Sequence, residues 1–189
     1  MPSWSRIATR MRVPLGFLFA AAYLWFARPL WMWILAGCVL VIAGLAVRAV
    51  ASGHIRKNRE LATTGPYAYT RNPLYLGSIL IAAGFVLAAR NPWVAIAALL
   101  MFLIIYLPVI KAEETYLRSA FPGYSEYAAH VPRLLPRLVP WRPDGAVVSP
   151  EYVPTFSSEL YRRHREYQAA LGSVLMIGAL ILKMILVNH

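Results

Sequence analysis

The stretch Thr63–Ser78, TTGPYAYTRNPLYLGS, places a Gly-Pro turn, three tyrosines, an arginine and a second proline directly ahead of an apolar run. Gly65-Pro66 marks a turn, and Pro73 suits the first position of a helix, where its missing N–H removes no hydrogen bond. Leu74 to Ala89 then continues without a charge, long enough to read as a membrane-crossing helix with polar chemistry held at its edge.

The rest of the chain repeats that arrangement. Of its 189 residues, 59% are hydrophobic and 14% charged, more apolar side chain than one small soluble core encloses. Five apolar runs qualify as spans: Val13 to Ala27, Leu30 to Val47, Leu74 to Ala89, Trp93 to Ile110 and Ala169 to Val187. A secretory leader is the rival reading of the first, after Arg6, Arg10 and Arg12, but no small-residue cleavage site closes it and it is read as a helix. Cys38 is the sole cysteine, which excludes an intrachain disulfide, and no metal-ligand spacing is present. The expected fold is all-α: one membrane domain, 1–189, a bundle of about five transmembrane helices.

The net charge of +11 invites a nucleic-acid reading, but the charges form no stripe and no binding motif. Sixteen of the nineteen Lys and Arg residues fall in 6–12, 48–71 and 111–165, which five spans place on one side; Arg28, Arg90 and Lys183 remain for the other. The positive-inside rule makes the basic side cytoplasmic in an inner or plasma membrane. The links Arg28-Pro29 and Arg90-Asn91-Pro92 are tight and carry no functional expectation. Segments 48–73 and 111–168 are expected to form a cytoplasmic helical and loop cap, being too long for plain connections and rich in Tyr and Arg.

Within the second segment, KAEETYLRSA extends the fourth helix, with Pro108 positioned to bend it and Phe121-Pro122-Gly123 to end it. Tyr124, Tyr127 and Val131 share one face of a short helix, and the prolines from Pro132 to Pro143 hold the chain extended. A last helix is expected from SSELYRRHREYQ, capped by Ser157, running on into the fifth span.

Arg71 ahead of a helix N-terminus makes an anion site suited to a carboxylate or phosphate. Glu113 and Glu114, at the end of the following helix, offer carboxylates for an ammonium group or ribose hydroxyls, and the tyrosines can flank an aromatic ring. Composition alone reads the same Tyr and Arg residues as ordinary interfacial anchors, and the acids as a solvated helix end. The residues leave both readings open.

GPYAYTRNPLYLG, an apolar hairpin, EETYL and then FPGYSEYAAHVPRLLP, in that order over about 58–136, resemble the isoprenylcysteine carboxyl methyltransferase and phospholipid methyltransferase families of integral membrane enzymes. The resemblance implies an S-adenosylmethionine site at the cytoplasmic membrane surface, without a soluble nucleotide-binding sheet. It implies cofactor binding by Arg59, Glu60, Leu61, Ala62, Tyr67, Asn72, Pro73, Leu74, Tyr75 and Glu113, with Glu114 completing the paired acids; Arg71, read above as an anion site, is expected to join them, and Glu113 and Arg71 are the catalytic candidates. Lys111, Tyr124, Tyr127 and Arg133 are the residues expected to meet a lipid or lipophilic acceptor. The carboxyl methyltransferases usually carry His where this chain has Asn72, and a substrate-binding Arg where it has Val109. The implied activity is methyl transfer without a metal; a non-enzymatic lipid-binding scaffold is the alternative, and a small transporter is disfavoured because no Asp, Glu, Arg or His lies mid-span.

Overall fold

The computed structural model describes residues 4–56, 60–142 and 156–187. Those residues are all-helical: α1 (Trp4–Phe26), α2 (Trp31–His54), α3 (Pro73–Ala89), α4 (Pro92–Met101), α5 (Leu107–Ala120), α6 (Tyr124–His130), α7 (Ser158–Arg163) and α8 (Tyr167–Val187). Three helical stretches are long and apolar enough to cross a membrane: Trp31–His54, Pro92–Ala120 and Tyr167–Val187. The apolar parts of the other two expected spans are shorter, Pro14–Phe26 within α1 and Pro73–Ala89. At 1.5 Å per residue the first covers about 20 Å and the second about 25 Å of a hydrocarbon core about 30 Å thick.

The chain divides into two compact units. The first comprises Met1–Val41, Ala82–Tyr116 and Gly172–His189. Its core joins Tyr23, Ala27, Ile34, Ala88, Ala89, Val94, Leu180 and Met184. α2 and α3 approach closely at Gly37 and Gly84, where a Cβ on either would strike the other's carbonyl oxygen. α4 starts at an Asn91 cap, whose side chain accepts from Trp93 N at 2.9 Å and donates to Phe26 O at 2.9 Å.

The expected bend at Pro108 takes a specific form. Residues Phe102–Tyr106 form a π-helical turn in which Leu107 N donates to Phe102 O, five residues back. Pro108 has no N–H, and its ring crowds the carbonyl four residues before it, so one widened turn accommodates the proline within a continuous 29-residue helix. α1 packs against this turn.

The second unit comprises Ile42–Ile81 and Leu117–Leu171. Here Gly44 and Gly77 repeat the close approach seven residues along each helix. α2 runs on to His54, seven residues past the expected end at Val47, because Arg48 is held inside the unit. Its guanidinium donates to both oxygens of Glu166, from Nε at 3.0 Å and Nη2 at 2.9 and 2.7 Å, and from Nη1 to Leu74 O at 3.2 Å and to Ser78 Oγ.

The expectation of one helix from SSELYRRHREYQ into the last span is corrected. Ser157 caps α7 as read, accepting from Leu160 N at 3.3 Å, but α7 stops at Arg163 and α8 begins only at Tyr167. Arg165 adopts φ 54°, a left-handed conformation that no α-helix continues through. The break presents Glu166 to Arg48 and the His164 ring to Ser52 O, with Nδ1 at 3.1 Å.

Candidate functional site

The quoted stretch folds as a tight turn in the second unit. Gly65 has φ 58°, and a side chain there would meet the His54 ring 2.5 Å away, so glycine is required on both counts. Gly65–Ala68 forms one 3₁₀ turn started by Pro66, and Tyr69 and Thr70 close it by donating to Pro66 O at 3.2 Å. Tyr67, Ala68, Thr70, Asn72 and Pro73 are buried, and Arg71, Leu74 and Tyr75 half-buried.

The turn is buried because the proline-rich segment after α6 lies across it. Arg71 N donates to Pro132 O at 2.9 Å, Arg137 N to Tyr69 O at 3.0 Å and Trp141 N to Ala68 O at 2.9 Å. Thr70 Oγ1 donates to the carbonyls of Arg133 and Leu134 at 3.1 and 3.2 Å, and Asn72 Nδ2 donates to Arg133 O at 3.1 Å. Prolines suit this strap, since they hold it extended while its remaining amides reach the turn. The strap therefore fixes the backbone on both sides of Arg71, immediately before the N-terminus of α3.

α6 braces the same turn from within. Tyr124, Tyr127 and Val131 form a buried cluster with Leu61, Leu117, Phe121, Ala128 and Trp141 packed around it. The Tyr127 hydroxyl donates to Tyr67 O at 2.7 Å, and its ring lies 5.6 Å from Trp141 and 6.0 Å from Tyr124. Burial, reinforced by the neighbouring Tyr124 phenol and opposed by the Arg71 guanidinium, pushes the Tyr127 phenol well above its ordinary range, so it stays a protonated donor.

The sequence-predicted residues divide as follows. Tyr67, Arg71, Asn72, Pro73, Leu74 and Tyr75 lie on the turn and the start of α3, with Leu61 packed on the α6 cluster and Ala62 half-buried beside it in sequence. Glu60 is exposed and pairs with Arg56 at 3.6 Å, and Arg59 lies outside the described residues. Tyr124 is buried with the Arg118 guanidinium 5.9 Å from its ring centre, and Arg133 is half-buried with its carbonyl engaged by the turn. Lys111, Glu113 and Glu114 belong to the first unit, on α5. There Glu114 is buried at 7% exposure while Lys111 and Glu113 face outward, since adjacent helical residues point in different directions.

Sequence reading passed over Arg48, Glu166, Thr70 and Trp141. Arg48 and Glu166 are 118 positions apart and looked like members of flanking charge blocks. The one available signal was the paired glycine spacing, Gly37 with Gly44 and Gly77 with Gly84, which marks two helix faces in close approach.

Residues 39–123 match the family model of phospholipid methyltransferases. Among curated proteins, the chain is 38% identical over 107 residues to the cobalt-zinc-cadmium resistance protein CzcN of Cupriavidus metallidurans, covering 56% of this chain and 44% of that protein. It is 34% identical over 110 residues to the nickel-cobalt-cadmium resistance protein NccN of Alcaligenes xylosoxydans xylosoxydans, covering 57% and 46%. It is 33% identical over 104 residues to protein-S-isoprenylcysteine O-methyltransferase of Saccharomyces cerevisiae, covering 48% and 44%. Each match thus spans less than half the length of the relative. No solved structure matches. The turn, the start of α3 and both acids of α5 all fall inside the stretch of this all-α chain that is similar to the phospholipid methyltransferase family.

Proposed function

We propose that the protein is an S-adenosylmethionine-dependent methyltransferase acting on a lipid or small lipophilic acceptor at the membrane interface. The observation that carries this reading is the strapped turn inside the family-matched stretch, which holds Arg71 directly ahead of α3. The first amides of a helix have no intrahelical partners, and the helix dipole adds partial positive charge there. With a guanidinium beside them they suit the carboxylate of an amino-acid-bearing cofactor. The buried rings of Tyr67 and Tyr127 keep that turn rigid and dry. Of the two acids, Glu114 is our choice for the cofactor's ammonium group or ribose, since burial strengthens a carboxylate's bond to a cation while an exposed one is screened.

When bound, S-adenosylmethionine supplies an electrophilic methyl group on its sulfonium. The chain's own part is to hold donor and acceptor in line and to exclude water, because positioning alone can supply a large share of a displacement's rate. Arg71 and the α3 amides would orient one end of the cofactor, with the Tyr127 brace holding Arg71 in register; Glu114 is assigned to the cofactor's cationic or hydroxyl groups from its place in the family-matched stretch alone. The acceptor arrives from the bilayer, with Lys111, Tyr124 and Arg133 the residues proposed to meet it, and the active site faces the cytoplasm.

The test is transfer of a labelled methyl group. The full chain in lipid nanodiscs with methyl-labelled S-adenosylmethionine is expected to move label into the organic extract of a native lipid mixture. Label confined to the aqueous phase, with the cofactor bound, supports a lipid-binding scaffold instead.

The names of two relatives favour a second reading, service in resistance to divalent metals. Among the described residues no group of three or more His, Cys, Asp or Glu side chains is poised to hold a metal ion. In this reading the metal is the stress and a methylated membrane component the response. Protection of a cadmium-sensitive host by the wild-type chain but not by an Arg71→Met variant would support it.

A further inference from the structure

The three cations that stand apart from the polar segments, Arg28, Arg90 and Lys183, line one cavity of about 600 Å³ in the first unit. Its walls are the α1–α2 link, the α3–α4 link and the last turns of α8, with Trp25, Leu30 and Val187 among the apolar lining. Among the described residues no acid lines it, and stretches 1–59, 61–112 and 167–189, which build it, contain no Asp or Glu.

Lys183 is already accounted for. Its Nζ donates to Leu24 O at 2.6 Å, Trp25 O at 2.8 Å and Ala27 O at 2.8 Å, which occupies all three protons and sets the charge against the negative end of α1. Arg28 and Arg90 are different. Arg28 N donates to Ala89 O at 2.8 Å, so the backbones that carry the two arginines are joined at the mouth of the cavity. The Arg90 guanidinium lies 5.8 Å from the Trp33 ring centre, and its backbone takes φ 51° at the end of α3, a position where glycine is the usual residue. Two guanidiniums are thus gathered at one cavity with no carboxylate to meet them.

The surroundings bear on which anion would fit. Trp25, Phe26, Leu30 and Val187 line the cavity and are 81%, 54%, 42% and 70% exposed, an apolar rim that a membrane chain turns toward acyl chains. A free anion has no use for such a rim, whereas a phosphate carrying acyl chains matches both parts. We propose that this cavity binds the headgroup of an anionic phospholipid, with Arg28 and Arg90 on the phosphate and the rim along the chains. This is a lipid held as a partner of the first unit, independent of the methyl acceptor.

Native mass spectrometry of the full chain, released from vesicles of equal phosphatidylglycerol and phosphatidylcholine, tests the proposal. The wild type is expected to retain one phosphatidylglycerol with about tenfold preference, a difference of about 1.4 kcal/mol. Arg28→Gln/Arg90→Gln should lose the preference, and Arg28→Lys/Arg90→Lys should keep most of it, which separates loss of charge from loss of fold. Equal retention of the two lipids by the wild type, or unchanged preference in the glutamine pair, would overturn the site. Displacement of the lipid by inorganic phosphate at equal concentration would overturn the lipid assignment.

Discussion

The Tyr127 hydroxyl donates to the backbone carbonyl of Tyr67 at 2.7 Å, tying α6 to the turn that carries Arg71. The bond is buried at both ends, and the carbonyl it satisfies belongs to the first half of the motif. Tyr127→Phe removes the donor and leaves that carbonyl without it. Stability should fall by about 1 to 3 kcal/mol, the cost of an unsatisfied buried polar group. Denaturant unfolding in detergent, followed by tryptophan fluorescence, measures it; an unchanged midpoint would show that the brace is ornamental.

The same hydroxyl has a pH signature. Burial raises its folded-state pKa above the unfolded value of about 10, so the protonated form is the one the fold favours. Its contribution is fully present below about pH 10 and is lost as pH rises beyond that, because the unfolded chain then releases a proton that the folded chain retains. Wild-type stability should therefore drop above about pH 10 more steeply than that of Tyr127→Phe, and parallel curves would contradict the assignment.

Arg48 and Glu166 join α2 to the break before α8, with side chains 22% and 10% exposed. Removing one partner strands the other, so Arg48→Met and Glu166→Gln should each cost about 2 to 4 kcal/mol. The double variant Arg48→Met/Glu166→Gln should cost less than the sum of the single losses, since it strands neither charge. Additive losses in a thermal-melt cycle would show that the two act separately.

The glycines provide a matched comparison. Gly44→Ala places a methyl group against the Gly77 carbonyl oxygen, whereas Gly172→Ala, also within a helix, meets nothing within 4 Å. The first should destabilise by about 1 to 3 kcal/mol through overpacking. The second should gain up to about 1 kcal/mol from helix propensity. Equal effects in paired melts would sink the close-approach account.

Much of this was legible from the chain. Apolar runs announce themselves by composition, Gly65-Pro66 by turn chemistry, and the breaks at Phe121-Pro122-Gly123 and Ser157 by residues whose backbone needs are local. What stayed hidden depended on distant partners. Nothing near Arg165 announces a left-handed residue in a helix-forming stretch; the break follows from the pairing of Glu166 with Arg48. The π turn at Phe102–Tyr106 is one of several ways to absorb Pro108, and local sequence does not select among them. At the candidate site, the motif residues were visible as a cluster of types, but their division of labour was not. Asn72 also meets the Arg133 carbonyl and Tyr127 the Tyr67 carbonyl, contacts that no local pattern announces because their partners lie some 60 positions away.

The central claim, that the Arg71 turn and Glu114 serve S-adenosylmethionine, is tested most directly by calorimetric titration of the cofactor into the purified full chain and three variants. The wild type should bind in the micromolar range usual for metabolite sites. Arg71→Met and Glu114→Gln should each weaken binding by about 1.5 to 3 kcal/mol, the scale of a hydrogen bond to a charged group. Glu113→Gln, at an exposed position, should change it little. Absence of binding by folded wild type, or affinity unchanged in both Arg71→Met and Glu114→Gln, would contradict the account.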